Sequence, residues 1–157
     1  MNSEKSSLLL CWILSVITSG LYSLYWLYSR TDVINRIAGN DNFQGKNMVY
    51  RILISFVIFS VLMGLALYFD PNQIRNKESD NSLFSIFLFL TFFAALFYIW
   101  SFIQAFYKAG YSIRAIELKR ENSKLCSPAL SWLLLFILYF NIPYLQSHIN
   151  DLIAPVE

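Results

Sequence analysis

The chain has 157 residues, of which 57% are apolar, 18% aromatic and 14% charged, and its net charge is +2. A soluble domain of this length carries far more charge and less apolar surface, so this composition excludes an ordinary soluble domain. A helix advances about 1.5 Å per residue, so about 20 apolar residues cross the roughly 30 Å of hydrocarbon in a bilayer. The composition therefore predicts a membrane protein.

Four apolar segments approach that length, and each predicts a transmembrane helix. The runs are long, unbroken and rich in Leu and Phe, without the alternation of apolar and polar residues that a transmembrane β-barrel requires. The predicted fold class is an all-α membrane protein with four transmembrane helices in a single domain of residues 1–157. The predicted spans are residues 8–28, 49–69, 83–107 and 129–145.

The cations are divided unequally between the predicted loops. Nine of the twelve Lys and Arg residues follow the first and third spans, and three lie elsewhere. Cytoplasmic loops of membrane proteins are enriched in Lys and Arg. The first and third loops are therefore predicted to be cytoplasmic, and both termini are predicted to lie outside. One alternative stays open at the first segment. If it re-enters the membrane instead of crossing it, the N-terminus lies inside and the loops keep their sides.

Three local signals predict where helices begin, continue or end. Gly39 follows an amphipathic extension of the first span and is predicted to end that helix. Beyond Tyr107, apolar residues including Ile113 keep helical spacing, which predicts a cytoplasmic extension of the third helix. Ser127 followed by Pro128 is typical of a helix start, with Ser as the cap and Pro in the first turn.

Small and polar residues interrupt the first and fourth spans. Thr18-Ser19-Gly20 permits close helix packing, or a broken helix that forms a binding site. The second interpretation needs another interrupted segment, and Pro143 beside Asn141 is the candidate because Pro143 cannot donate a backbone hydrogen bond. Gln104 in the third span is a candidate partner of the first break. The candidate helix-packing or ligand site comprises Thr18, Ser19, Gly20, Gln104, Asn141 and Pro143.

Aromatic and basic residues mark the predicted cytoplasmic interface. Tyr22, Tyr25 and Trp26 share one helical face, and rings with polar tips are typical of the membrane interface, so they are predicted to be an interfacial anchor. Basic residues near the surface attract anionic lipid headgroups. The candidate headgroup contacts are Arg30, Arg36, Arg114, Lys119 and Arg120.

The sequence offers no arrangement that predicts catalysis. No charged residue or His lies in the middle of a predicted span, which argues against a proton-coupled transporter. His148 has Asp151 three residues on but no nucleophile beside it, so it is predicted to be a solvated residue at the outer interface. Cys11 and Cys126 lack metal-ligand spacing. We therefore predict no catalytic, cofactor-binding or metal-binding residue, no enzymatic activity and no nucleic-acid partner.

Two stretches resemble the bacterial family named domain of unknown function 4234. The first, residues 15–39, is similar to its Ile-Thr-x-Gly-[Ile/Leu]-Tyr-x-x-Tyr-Trp signature. The second, residues 144–153, is similar to its closing Gln-x-x-x-Asn pattern at Gln146 and Asn150. The resemblance implies a small multi-spanning protein of the bacterial inner membrane, and it implies no activity. The signature residues are Ile17, Thr18, Gly20, Leu21, Tyr22, Tyr25 and Trp26.

Two functions are compatible with these features. Small residues in the spans, abundant Phe and the long third helix favour non-enzymatic association with lipid, with another membrane protein or with a second copy. The alternative is a small channel or carrier, with a site between the Thr18–Gly20 break and Asn141–Pro143.

Overall fold

The computed structural model describes residues 7–18, 20–69, 81–120, 124–137 and 139–153. These residues form α-helices and one short 3-10 turn and contain no strand, which confirms the predicted all-helical class. In chain order the helices are α1 (Leu8–Ile17), α2 (Leu21–Ala38), α3 (Gly45–Tyr68), α4 (Asn81–Lys119), α5 (Pro128–Leu133) and α6 (Asn141–Ile153), with the 3-10 turn at Leu134–Phe136.

Helices α3 and α4 correspond to the second and third predicted spans. Among the described residues these two helices are long and apolar enough to cross a membrane. Only 17% of the most apolar window of each is buried, whereas the core helix of a soluble protein is mostly buried. The helix α4 continues 12 residues beyond residue 107 to Lys119, which confirms the predicted helical extension.

The first predicted span, residues 8–28, is not one continuous helix. Helix α1 ends at Ile17, and α2 begins after Gly20, which adopts a left-handed backbone conformation with φ 91°. The Thr18 hydroxyl donates to the Leu14 carbonyl at 2.7 Å and accepts from the Tyr22 amide at 2.9 Å. It therefore satisfies backbone groups at the end of α1 and at the start of α2. The prediction of a single spanning helix here is corrected to two helices with a break between them.

The break also changes the direction of the chain. The Cys11 Sγ lies 3.5 Å from the Tyr22 hydroxyl. On a continuous helix these two residues would be separated by about 16 Å along the axis. Helix α1 therefore bends at the break, and it packs against α6.

The fourth predicted span, residues 129–145, is interrupted in the same way. Ser127 caps α5 by accepting a hydrogen bond from the Leu130 amide, as the sequence predicts. The chain then leaves helical geometry at Ile137, passes through Tyr139 at φ 59°, and restarts as α6 at Asn141. Pro143 therefore lies in the first turn of α6, where its missing N–H is tolerated.

The two ends of this fourth segment lie beside each other. The Ser127 amide donates to the Tyr144 hydroxyl at 2.6 Å. A continuous helix would separate these residues by about 25 Å. The segment is therefore a hairpin, in which α5 and the 3-10 turn lead away from residue 127 and α6 returns toward it.

The chain divides into two units, Met1–Val49 with Ile103–Glu157, and Tyr50–Phe102. The second unit consists of most of α3 and the first part of α4, with ring contacts such as Phe56 to Tyr98 at 5.7 Å. The first unit contains the two interrupted segments. Its fully buried large side chains are Trp26, Leu27, Ile34, Phe106, Ile113, Glu117, Asn141, Ile142, Leu145, Gln146 and Ile149.

Candidate functional site

The two breaks meet at Gly20 and Tyr139. A methyl group built on Gly20 would lie 2.7 Å from Cε1 of the Tyr139 ring. Position 20 therefore requires glycine for two reasons, since its φ of 91° strains any L side chain and the Tyr139 ring fills the space. We name this region, with the first turns of α2 and α6, the junction.

Helices α2 and α6 run side by side away from the junction. The Trp26 indole Nε1 donates to Gln146 Oε1 at 2.8 Å, and the Gln146 Nε2 donates to Asn150 Oδ1 at 2.8 Å. Gly20 precedes Trp26 by six residues, and Tyr139 precedes Gln146 by seven, so the two helices point in the same direction. Both N-termini, which carry partial positive charge, therefore lie at the junction.

Two polar side chains in these first turns are buried without a partner. Asn141 and Ser23 are fully buried, and neither the Asn141 amide group nor the Ser23 hydroxyl has a hydrogen-bond partner. Ser15 on α1 is also fully buried, but its hydroxyl donates to the Cys11 carbonyl at 2.8 Å. A buried polar group without a partner costs about 1–3 kcal/mol. The junction therefore has hydrogen-bonding capacity that the protein itself leaves unused.

The structure brings together part of the predicted packing or ligand site. Thr18 and Gly20 form the first break, and Asn141 begins the helix after the second break. Ser19 lies outside the described residues. Gln104 is half-buried on α4, and its predicted contact with the first break stays a prediction. Sequence reasoning did not identify Tyr139, because a non-glycine residue with positive φ leaves no signal in a run of apolar and aromatic residues.

The predicted aromatic anchor is divided between different environments. Trp26 is 1% exposed and bonds to α6, so it belongs to the core and not to a lipid-facing stripe. Tyr25 is 64% exposed, and Tyr22 is half-buried against Cys11. Of the three, Tyr25 retains the exposure that an interfacial anchor needs.

A second buried polar group, at the far end of α4, was missed by sequence reasoning. Glu117 is 1% exposed, its Oε1 lies 2.6 Å from His148 Nδ1, and its Oε2 accepts from the Cys126 amide at 2.5 Å. The prediction of a solvated His148 is therefore corrected, because its side chain is only 12% exposed. The available signal was the helical spacing of Glu117, four residues after the buried Ile113.

Cys126 lies beside this group in the segment between α4 and α5. Its thiol is free and buried. Burial raises the pKa of Cys126 to about 12, and the nearby Glu117 carboxylate adds to the rise, while a hydrogen bond from Tyr144 opposes it. Cys11 is also free. Among the described residues, no group of three or more His, Cys, Asp or Glu could hold a metal ion.

The candidate headgroup contacts are spread over α2 and α4. Arg36, Arg114 and Lys119 are exposed, and Arg30 is half-buried. Arg120 is engaged within the protein, since its Nη1 donates to the Leu152 carbonyl at 2.7 Å. Lys119 also borders a groove of about 220 Å³ with Asn35 of α2. The lipid contacts stay a prediction.

These features define an all-helical protein in which two interrupted segments meet at their breaks. The family model described as Domain of unknown function (DUF4234) matches residues 6–146, and the chain belongs to this family. The match contains the whole first stretch of resemblance, residues 15–39, and ends within the second, residues 144–153. No curated protein and no solved structure matches the chain.

Proposed function

We propose that the chain is an integral protein of the bacterial inner membrane, in which α3 and α4 cross the bilayer and the two interrupted segments enter and leave by the same face. Support comes from the apolar surface that α3 and α4 leave exposed. The ten residues of α1 measure about 15 Å, half the hydrocarbon thickness, and most of its apolar side chains are exposed. Backbone breaks at such depth are tolerated where protein buries them, as it does at the junction.

This arrangement supports a topology with both termini in the cytoplasm. The extension of α4 carries Lys and Arg residues, which favours a cytoplasmic location. Glu117 and Arg120 at the end of α4 contact His148 and Leu152 of α6, so α6 returns to the same face. The bend between α1 and α2 likewise favours an N-terminus on that face. We propose this topology in place of the external termini predicted from four continuous spans.

The function that this geometry supports best is a small, non-enzymatic channel or carrier for a polar solute. The observation that carries the proposal is the contact of the two breaks, Gly20 against Tyr139, beside the unpartnered amide of Asn141. Discontinuous helices that meet within the membrane form the solute sites of many transporters. The sequence predicted this site, between the Thr18–Gly20 break and Asn141–Pro143, as the alternative, and the contact of the two breaks supports it.

The test is solute flux in vesicles reconstituted with the full chain. Glycerol, urea and potassium nitrate are each applied as an osmotic gradient, and light scattering reports entry. Wild-type vesicles should admit at least one solute faster than empty vesicles, and Gly20→Leu should remove the difference. Gly64→Leu is the matched control, because no atom lies within 4 Å of a methyl group at that position of α3. Equal rates for all solutes in wild-type and empty vesicles would contradict the proposal.

A second candidate function is association within the membrane, with another membrane protein, a second copy or specific lipid. It is favoured by a stripe of four Phe residues on α4, each more than half exposed, at positions 89, 92, 93 and 97. Aromatic rings dominate the energetics of many interfaces. Photo-crosslinking from position 93 in native membranes should trap a protein partner, and position 91, which is buried on the opposite side of α4, is the control. Recovery of monomer alone from both positions would contradict it.

A further inference from the structure

The junction contains the strongest unassigned feature of the described residues, which is the pair of buried, unpartnered groups on Ser23 and Asn141. Both side chains are fully buried. The Asn141 Oδ1 and Nδ2 and the Ser23 Oγ have no hydrogen-bond partner within the protein. More than about nine-tenths of buried polar groups in proteins do have one, and an exception indicates a bound molecule or a functional role.

Both residues lie in the first turns of the helices that begin at the junction. Ser23 follows Gly20 by three residues and precedes Trp26 by three, so it shares the helical face that bonds to α6. Asn141 follows Tyr139 by two residues and precedes Gln146 by five. Along each helix, the unpartnered residue therefore follows the Gly20–Tyr139 contact and precedes the Trp26–Gln146 hydrogen bond.

The backbone chemistry of the junction argues against an anion, although helix N-termini usually favour one. An anion needs free amide groups, and most of the first backbone amides of these helices donate within the protein. In α2 the amides of residues 21, 22 and 23 donate to Thr18 O, Thr18 Oγ1 and Gly20 O. In α6 the amides of residues 142 and 144 donate to Tyr139 O and Phe140 O, and Pro143 has none.

The distribution of charged residues also argues against an ion at the junction. Residues 8–29 and 128–147, which include the junction, contain no Asp, Glu, Lys, Arg or His. An ion moved from water into such surroundings loses several kcal/mol of solvation, and no side chain of opposite charge is present there to repay the loss. The groups that remain, an amide and a hydroxyl, each both donate and accept hydrogen bonds. They match an uncharged molecule that also does both.

We propose that the junction binds a small uncharged molecule that donates and accepts hydrogen bonds, of the class of water, a polyol or urea, through the Asn141 amide and the Ser23 hydroxyl. The proposal deepens the proposed function, because it names the class of solute for that site. The Asn141 Oδ1 accepts from the molecule and its Nδ2 donates to it, and the Ser23 hydroxyl completes the set.

Nuclear magnetic resonance of the side-chain amide in lipid nanodiscs tests binding without requiring flux. The Asn141 signal, identified by its loss in Asn141→Leu, should show a cross-peak to water or a saturable shift with glycerol or urea. Nitrate should cause no shift. The side-chain amide of Asn35 is the internal control, because its Nδ2 and Oδ1 already bond to the backbone of Phe43 at 3.0 Å. Its signal should not respond.

The variant Ser23→Ala gives a second measurement if Asn141→Leu fails to fold. It should weaken the response to glycerol or urea by about 2- to 12-fold, the loss expected for one hydrogen bond. A water cross-peak without a solute response assigns the site to water. A larger shift with nitrate, or no response to any neutral molecule including water, overturns the proposal. Binding of a neutral molecule without flux would contradict the proposed channel or carrier function but not the binding site. If Ser23→Ala leaves the flux of the wild-type protein unchanged, the transport site lies elsewhere.

Discussion

Two separate steric constraints act on Gly20, and comparison with Gly39 and Gly64 allows each to be tested alone. Its left-handed backbone strains an L side chain, and the Tyr139 ring occupies the position of a Cβ atom. Gly39 at the end of α2 has the first constraint alone, with φ 67° and no atom within 4 Å. Gly64 in α3 has neither.

The substitution Gly20→Ala should destabilise the protein by about 2–5 kcal/mol, because about 1–2 kcal/mol of backbone strain adds to a steric clash of about 1–3 kcal/mol. Gly39→Ala should cost about 1–2 kcal/mol. Gly64→Ala should be neutral or stabilising, since it removes a glycine from a helix interior. Tryptophan fluorescence during denaturation in detergent measures all three. Equal effects at positions 20 and 39 would show that the Tyr139 contact is absent.

The Cys126 thiol should resist alkylation well above neutral pH. Its pKa of about 12 keeps it protonated, whereas an unfolded or exposed cysteine loses its proton near pH 8.5. Because this native pKa is raised, the contribution to stability is present below about pH 8.5 and declines as the pH rises toward 12.

Iodoacetamide labelling at pH 8 to 9.5 measures this difference, with Cys11 replaced by Ser. Cys126 should react at least tenfold more slowly than a cysteine placed at the exposed position 124 in a Cys126→Ser chain. Denaturant should make the two rates equal. Labelling of native Cys126 at the rate of position 124 would contradict its burial.

At the scale of the elements, one buried carboxylate of α4 contributes to the attachment of the end of α6. Glu117 of α4 bonds to His148 of α6 and to the Cys126 amide between them. Glu117→Ala should destabilise the protein by about 3 kcal/mol, because it leaves two buried partners without an acceptor. Glu117→Gln, which keeps one carbonyl oxygen, should cost less. Leu118→Ala is the control on the exposed side of α4. A loss no greater than that of the control would show that the contact does not hold α6.

The elements also show how far sequence reasoning extends. The apolar runs that became α3 and α4 were predictable, because length and hydropathy alone define them. Gly39 and Ser127 were found at their predicted helix ends, since capping chemistry is local. The break at Gly20 was an open alternative, because Thr-Ser-Gly suits both close packing and interruption. The fold-back of residues 129–145 was not predictable, because hydropathy measures the length of a run and not its path.

At the scale of the whole molecule, the path of the first and fourth apolar runs distinguishes two topologies. Four continuous spans place residues 7 and 151 on the face of residue 83. Re-entrant segments place them on the face of residue 125. The proposed re-entrant arrangement is supported by the pairs Cys11–Tyr22 and Ser127–Tyr144, which no continuous helix could form.

Single cysteines distinguish these topologies in a chain with Cys11 and Cys126 replaced by Ser. Positions 7, 83, 125 and 151 are exposed, so an impermeant maleimide reaches each from its own side. In inside-out vesicles we expect labelling at 7, 125 and 151 but not at 83, and the reverse in intact spheroplasts. Labelling of 151 together with 83 would restore a fourth span, and labelling of 7 together with 83 would restore the first. Either of these two contrary results would also contradict the junction, because a segment that crosses the bilayer would separate its break from the break in the other segment.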